Sequence, residues 1–233
     1  MSEALEPVAA LAGRWSLDGG AAGRLAALVG VLADDPGAPT TIRAPERAVE
    51  AHLADSLVAL ELDVVRAARR IADLGSGPGF PGLALAIALP VARVALVESS
   101  ARKCAFLDRA IAAADVSNAD VVHARAEAWP EGIEAHDLVT ARALAALPVV
   151  VEYAAPLLAL GATLVAWRGR RDEAAERAAE RAAAVLGLES VEVRQVQPYP
   201  AARNRHLHLF RKAAPTPPRF PRRPGVARKR PLG

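Results

Sequence analysis

The sequence has little cysteine, few aromatic residues and no long apolar run. Cys104 is the single cysteine among 233 residues, which excludes an intramolecular disulfide and a metal site built from several cysteines. No apolar run is as long as a membrane span, and the N-terminus lacks the basic-then-apolar pattern of a secretion signal. We therefore expect a cytoplasmic protein with no membrane contact and no metal site. A content of 52% hydrophobic residues is enough for one well-packed core.

Acidic residues are missing from the last part of the chain. Residues 201–233 contain ten Lys and Arg and no Asp or Glu. Subtracting these ten from 29 leaves 19 basic against 26 acidic residues in 1–200, a net charge of −7. A basic end on an acidic body indicates a polyanionic partner. Because six prolines between Pro215 and Pro231 exclude regular helix, we expect an extended arm, ordered on nucleic acid or serving only solubility.

A glycine-rich turn lies between an apolar strand and a helix at residues 71–82. The segment is I-A-D-L-G-S-G-P-G-F-P-G, with the strand predicted over 69–74 and the helix over 80–89, before Pro90. Glycine permits positive φ and close approach of a ligand to the backbone. At the carboxyl end of a strand in an open α/β sheet, such a turn binds nucleotide-like ligands.

Two cofactors compete for this turn. Residues 77–82 satisfy G-x-G-x-x-G, so an NAD-dependent oxidoreductase is one alternative. Pro78 and Pro81, however, have no N–H to offer a pyrophosphate, and Asp73 places a carboxylate beside the turn. A carboxylate suits the ammonium and sulfonium groups of S-adenosylmethionine better. We interpret the segment as a methyl-donor site with candidate ligands Asp73, Gly75, Gly77 and Gly79.

Glu98 supports the same interpretation. It stands at the end of a second predicted strand, 93–97, about twenty residues after the glycines. An acid in that position accepts hydrogen bonds from ribose hydroxyls. We therefore add Glu98 to the candidate donor ligands. The alternative is a tight turn with a capping acid, but it requires Asp73, three glycines and Glu98 to coincide.

Strands and helices alternate along the rest of the chain. Two helices are predicted before the turn, over 21–32 and from Pro45 onward, where Val49, Leu53, Leu57 and Leu60 form one apolar stripe. His52 lies near that stripe and is interpreted as an interface residue rather than a catalyst. Strands are predicted at 93–97, 120–122, 137–140, 162–167, 190–196 and 206–211, and helices at 102–114, 147–158 and 172–186. The alternation predicts a mainly parallel sheet covered on both faces.

Several motifs, in order, resemble the glucose-inhibited division protein B family of small-subunit ribosomal RNA methyltransferases G. They are H-L-A-D-S-L at 52–57, the glycine turn, Glu98 with R-K-x-x-F-L at 102–107, T-A-R-A at 140–143, Arg168-Gly169, R-H-L at 205–207 and the basic stretch 219–232. The resemblance implies a class I, Rossmann-like methyltransferase with a seven-stranded sheet. We expect a helical extension at 1–66, a methyltransferase core at 67–212 and a basic arm at 213–233.

The resemblance also implies site residues. The donor would contact Gly75, Phe80, the Ala126-Glu127 pair and Arg142. Arg142 would also be the catalytic residue that orients the acceptor. Arg168 replaces the lysine common in the family, which leaves the role of this position open. The expected RNA contacts are Arg168, Arg205, His206, Arg219, Arg222, Arg223, Arg228, Lys229 and Arg230.

The family's reaction is methylation of N7 of a guanine in 16S ribosomal RNA. N7 has a lone pair and no hydrogen, so neither a general base nor a nucleophilic cysteine is needed, and alignment of the reactants should supply the rate. The expected partner is 16S rRNA or the small ribosomal subunit, bound by a monomer. The alternatives are a methyltransferase of a small molecule or protein, the NAD-dependent enzyme, and a non-catalytic RNA-binding module.

Overall fold

The computed structural model describes residues 2–233 and contains one seven-stranded sheet of order β3-β2-β1-β4-β5-β7-β6. Strands β1 to β5 are parallel, and β7 is antiparallel to both β5 and β6. The expected mainly parallel sheet of seven strands is therefore confirmed. The strands are β1 Arg70–Leu74, β2 Arg93–Glu98, β3 Ala119–His123, β4 His136–Arg142, β5 Leu158–Arg168, β6 Leu188–Val196 and β7 Arg205–Lys212.

Helices cover both faces of the sheet. The strand order runs outward from β1 to β3 and reverses at β4, so right-handed connections place the helices before and after the reversal on opposite faces. No helix within residues 2–233 has the length and apolar character needed to cross a membrane. The helices are α1 Ser2–Arg14, α2 Ala21–Asp34, α3 Pro45–Ala48, α4 Asp55–Leu57, α5 Asp63–Arg66, α6 Gly82–Ala88, α7 Ala101–Ala113, α8 Leu147–Ala154, α9 Glu173–Leu186 and α10 Val226–Lys229.

Two apolar cores hold these layers together. One combines residues of α2, the 45–61 segment, α6 and α7 on one face of the sheet. The other combines α8 and α9 on the opposite face. The N-terminal extension thus shares its core with the sheet, because α2 buries Leu25, Leu28 and Leu32 in the first of them. The division at residue 66 stays a prediction.

Most predicted boundaries lie within two or three residues of the observed ones, and three differ for a physical reason. Helix α6 begins at Gly82 rather than at residue 80, because 78–81 still belong to the turn. Helix α8 ends at Ala154 and continues as a 3₁₀ turn, Ala155–Leu157, since Pro156 has no N–H for a further helical bond. Strand β5 starts at Leu158, four residues before the prediction, by pairing with His136.

The segment 45–61 is helical as expected but not regular. Pro45 opens α3, and the chain then forms a π-helical stretch, Val49–Ala54, before α4 and a 3₁₀ turn. The apolar stripe predicted for this segment is buried. The segment is tied to β5 because the indole Nε1 of Trp167 donates to the carbonyl of Asp55 at 2.7 Å. Such π-helical turns are frequent at functional sites.

The C-terminal segment, residues 213–233, is not the extended arm that the prolines predict. Phe220 and Ala227 are buried in the core of α8 and α9, and Lys212 donates to the carbonyl of Ala155 and to the hydroxyl of Thr216. Burial lowers the pKa of Lys212. Residues 226–229 even form one helical turn, α10. The prediction failed because Phe220 and Ala227 between the prolines pack into the core and Arg222 pairs with Glu152.

Candidate active site

Two cavities lie side by side at the carboxyl edge of the sheet. The first has a volume of about 330 Å³ and lies over the ends of β1, β2 and β3. The second, of about 470 Å³, lies between the 45–61 segment and the ends of β4, β5 and β7. Gly75 and Ala143 line both cavities. The reversal of strand order between β1 and β4 thus produces two adjoining sites where open α/β sheets bind ligands.

The glycine turn forms the boundary between them. Gly75, Gly77 and Gly79 have φ of +66°, +54° and +94°, in the left-handed region that favours glycine. A Cβ on Gly75 would lie 2.6 Å from Cδ1 of Leu144, and one on Gly79 would lie 2.5 Å from Cδ1 of Leu83. Gly75 lines the cavities, whereas Gly77 and Gly79 shape the turn from behind.

Glu98 lies in the first cavity and is almost wholly buried. Its carboxylate accepts hydrogen bonds from the backbone N–H groups of Gly77 at 3.2 Å and Ser100 at 2.9 Å. The ammonium of Lys103 lies 3.7 Å from Oε2, and Lys103 lines the same cavity. These donors hold Glu98 in one orientation at the end of β2. The sequence analysis named Lys103 only within the R-K-x-x-F-L motif and did not predict that it lines a cavity.

Asp73 does not reach the ligand space. Its side chain is 1% exposed, lines neither cavity and accepts a 2.7 Å hydrogen bond from the hydroxyl of Thr140 on β4. Burial raises the pKa of this carboxyl. Oδ2 has no hydrogen-bond partner, and a Cβ on Gly82 would lie 2.8 Å from it. The structure therefore places Asp73 beneath the turn, where it joins β1 to β4 and lines neither cavity; its role as a donor ligand stays a prediction.

Ala126 and Glu127 line the first cavity, opposite Glu98. They belong to a 3₁₀ turn, Ala126–Ala128, after β3. Oε1 of Glu127 accepts from the backbone N–H of Gly225 at 2.9 Å. One carboxylate oxygen is thereby held by the C-terminal segment, and Oε2 is left to accept a further hydrogen bond. A polar ligand in this cavity would meet two oriented carboxylates.

Arg142 lines the second cavity and not the first. Nη1 donates to Oδ2 of Asp55 at 2.9 Å and to the carbonyl of Ala51 at 3.1 Å, and Nη2 donates to Nδ1 of His52 at 3.3 Å. The guanidinium therefore joins the end of β4 to the 45–61 segment. Its centre also lies 5.8 Å from the ring of Phe80. Arg142 and Phe80 were both expected to contact the donor. Both instead line the second cavity, on the other side of Gly75 from the first.

His52 is part of this network rather than of the apolar stripe alone. Its ring stacks on Phe80 with centroids 4.9 Å apart. Arginine can only donate, so Nδ1 accepts, and the neutral ring carries its proton on Nε2 and donates to the hydroxyl of Thr40 at 3.1 Å. Burial, followed by the charge of Arg142, lowers the pKa of His52 from its usual 6.5 to about 4.

The neutral state of His52 leads to a prediction about stability. Because its folded pKa is lowered, the unfolded chain binds a proton below pH 6.5 that the folded protein rejects until about pH 4. The contribution of the neutral His52 to the free energy of unfolding should therefore be fully present above pH 6.5 and be lost as the pH falls toward 4. Between pH 7 and pH 5, the free energy of unfolding should fall by about 1–2 kcal/mol less in His52→Gln than in the unaltered protein. Urea unfolding at the two pH values measures this difference.

His208 gives the comparison for this experiment. Burial also lowers its pKa to about 4, but its charged neighbours are Glu176, Arg168, His206 and Arg171, not Arg142. His208→Gln should flatten the same pH dependence without affecting the Arg142 network. Equal pH dependence in His52→Gln and the unaltered protein would contradict a neutral, buried His52.

The predicted RNA contacts divide into two groups. The first lines the second cavity: Nη1 of Arg168 donates to the carbonyl of Ala145 at 2.8 Å, Nε of Arg205 lies 3.3 Å from Oδ1 of Asp55, and Nδ1 of His206 lies 2.8 Å from the carbonyl of Gly169. Arg170, which sequence reasoning missed, lines the same cavity. Its four arginines against the single acid Asp55 make the second cavity strongly cationic.

The second group is in the C-terminal segment, and its members differ in what they contact. Arg222 forms an ion pair with the buried Glu152 of α8, so it anchors the segment. Arg228 lines the first cavity and donates to the carbonyl of Leu144 at 3.0 Å. The remaining members are exposed, as Arg228 is, but line neither cavity: Arg219, Arg223, Lys229 and Arg230.

The single cysteine, Cys104, lines neither cavity. Cys104 is buried in α7, where its Sγ lies 3.4 Å from the carbonyl of Glu98, and burial raises the pKa of the thiol. Within residues 2–233, no three His, Cys, Asp or Glu side chains are grouped as metal ligands. The first cavity offers the carboxylates of Glu98 and Glu127 together with the cations Lys103, Arg125 and Arg228, whereas the second is mainly cationic.

Comparison with known proteins identifies this arrangement. A predicted O-methyltransferase from Agrobacterium tumefaciens superposes with a TM-score of 0.53 and 25% identity, covering 71% of this chain and 81% of that one. The fold is thus that of a class I methyltransferase. The family model of rRNA small subunit methyltransferase G (GidB) matches residues 39–207. The chain belongs to the rRNA small subunit methyltransferase G family.

Individual relatives agree over most of their length. The ribosomal RNA small subunit methyltransferase G of Rubrobacter xylanophilus is 44% identical over 196 residues, which cover 82% of this chain and 75% of that protein. The protein of the same name from Chloroflexus aggregans is 41% identical, with 83% and 82% covered. The family suggested by the motifs is therefore confirmed.

Proposed function

We propose that this enzyme transfers a methyl group from S-adenosylmethionine to N7 of a guanine in 16S ribosomal RNA. The observation that carries the proposal is the pair of adjoining cavities, one with oriented carboxylates and one lined by arginines. A nucleoside donor suits the first and a phosphate-bearing nucleotide the second. Such an enzyme acts where ribosomes are made, in the cytoplasm, and we expect it to act as a monomer.

The residues of the first cavity fit the donor. Glu98 would accept hydrogen bonds from the ribose hydroxyls, and Oε2 of Glu127 is free to accept one from the adenine amino group. Gly75 would allow the donor to lie against the backbone between the cavities. S-adenosylmethionine supplies a methyl group on a positively charged sulfur that a neutral lone pair can attack.

The residues of the second cavity would position the acceptor. Guanine presents O6 and N7 as hydrogen-bond acceptors, and arginine can bind either. An arginine bound to N7 would occupy the lone pair that must react, so Arg142 should hold O6 or a neighbouring phosphate. Phe80 and His52, stacked beside Arg142, would limit the access of water. No residue needs to remove a proton, since N7 has none.

The test is methyl transfer from radiolabelled S-adenosylmethionine to defined RNAs. The substrates are a 16S rRNA transcript, a 23S rRNA transcript as control, and small subunits from cells that lack this gene. We expect label at one guanine of 16S rRNA, located by the strand cleavage that N7-methylated guanine undergoes after reduction. Label on a small molecule or on protein, with none on either RNA, would refute the proposal.

Salt dependence gives a separate prediction for RNA binding. Replacing Arg219, Arg223 and Arg230 with glutamine should weaken RNA binding and reduce the slope of log K against log salt by about 0.7–0.9 for each phosphate that is no longer neutralised. The matched control removes three charges at Arg69, Arg70 and Arg93, which are exposed near the amino ends of β1 and β2, opposite the cavities. If both variants change the slope equally, the C-terminal segment has no specific part in RNA binding.

A further inference from the structure

The C-terminal segment reaches the first cavity at two points. The backbone N–H of Gly225 holds Oε1 of Glu127, and three residues later Arg228 contributes to the lining of that cavity. We infer that residues 213–233 complete the methyl-donor site and that Arg228 binds the adenine end of the donor. This inference rests on the proposed function of the first cavity, and it gives the segment a role apart from RNA binding.

The body of the protein fixes the position of this turn. Ala227, next to Arg228, is buried against α8, and Arg222 is paired with the buried Glu152. Phe220 is buried in the same core. Contacts behind the cavity therefore fix the backbone at Arg228, whose side chain is itself exposed. A ligand that binds there avoids the entropic cost of ordering a free arm.

Gly225 has a φ of +83°, in the left-handed region, and this conformation directs its N–H to Glu127. The bond leaves Oε2 of Glu127 as the acceptor for an amino group. One carboxylate from the turn after β3 and one N–H from the far end of the chain thus form a single recognition element. The pairing joins residues 98 positions apart in sequence.

Arg228 has the chemistry that an adenine ring requires. Its guanidinium carries five N–H donors; one is donated to the carbonyl of Leu144 at 3.0 Å, and the hydroxyl of Tyr153 in the same cavity is a second partner. The remaining donors can bond the ring nitrogens of adenine, which are acceptors, and the planar cation can also stack on a purine face. Arg228 and Glu127 would together recognise the acceptors and the amino donor of adenine.

Calorimetry with full-length protein in the absence of RNA tests the inference. Arg228→Ala should bind S-adenosylmethionine about tenfold more weakly than the unaltered protein. Lys229→Ala removes the same charge from the same helical turn, and Lys229 is exposed and does not line the cavity, so its donor affinity should stay within twofold. Arg228→Lys should recover only part of the loss, because lysine lacks the planar fork.

The part of the donor that Arg228 contacts is tested with 5′-methylthioadenosine, which has the adenine but no amino-acid carboxylate. We expect Arg228→Ala to weaken both compounds by the same factor. Unchanged affinity for 5′-methylthioadenosine, or equal affinities of the two alanine variants for S-adenosylmethionine, would overturn the inference. If the unaltered protein itself fails to bind S-adenosylmethionine, the proposed function fails instead. Unfolding midpoints and circular dichroism establish that each variant is folded.

Discussion

Arg142→Ala is expected to lower kcat/KM for RNA methylation about 100-fold, equivalent to about 2.7 kcal/mol of transition-state stabilisation. Three contacts hold the guanidinium, and it lines the cavity proposed for the acceptor. Removing it takes away the group that would orient guanine and leaves Asp55 with Arg205 as its remaining partner. Steady-state kinetics with the 16S rRNA substrate measure the effect.

Stability and donor affinity separate this effect from damage to the fold. The Arg142–Asp55 pair is partly exposed and Asp55 keeps Arg205, so the loss should cost about 1–3 kcal/mol in urea unfolding, which leaves a typical domain folded. Donor affinity should change less than threefold, since Arg142 does not line the first cavity. Arg142→Lys keeps the charge but not the three contacts and should recover little. Near-normal turnover in Arg142→Ala would remove this residue from the mechanism.

Gly75→Ala is expected to weaken S-adenosylmethionine binding about 100-fold. The added Cβ would lie 2.6 Å from Cδ1 of Leu144, at the junction of the two cavities, so Leu144 would have to shift where the donor is proposed to lie. The φ of +66° adds backbone strain of about 1–2 kcal/mol for any L side chain. Calorimetry gives the affinity, and urea unfolding gives the strain.

Gly161 offers a matched control for backbone strain. Its φ is +83°, a Cβ there would meet nothing within 4 Å, and it lies in β5 far from both cavities. Gly161→Ala should lose similar stability while binding the donor normally. If Gly161→Ala also lost donor affinity, the effect of Gly75→Ala would be due to general destabilisation rather than to the cavity. Unchanged affinity in Gly75→Ala would contradict the assignment of the first cavity.

Residues at strand ends were found from sequence because they depend on local signals. Glu98 stands at the end of the apolar strand β2, and Gly75 begins the glycine turn after β1. Because parallel strands bring their carboxyl ends to one edge of the sheet, both residues reach the site. Asp73 fits the same local pattern, and the structure buries it beneath the turn. Alternation along a strand gives the face on which a side chain lies, but not that Thr140 of β4 donates to this carboxylate or that Gly82 at the start of α6 packs on it.

The second cavity was harder to predict because its parts are distant in sequence. Asp55 meets Arg142 across 87 positions. His52 was interpreted as an interface residue, since nothing nearby in sequence shows that Phe80 and Arg142 surround it. The π-helical stretch that holds His52 also has no sequence signal that we recognised. Such contacts depend on how the N-terminal extension packs across the ends of the strands.

The amino-acid sequence by itself determined the alternation of strands and helices, the glycine turn, the acid after β2 and the family. Each of these is encoded in a short stretch, through hydrophobic period, glycine conformation or motif spacing. Tertiary structure alone decided that the basic C-terminal segment folds back, with Arg222 on Glu152 and Gly225 on Glu127. Proline and charge favour an extended chain locally, and burial of Phe220 and Ala227 against α8 and α9 outweighs that preference.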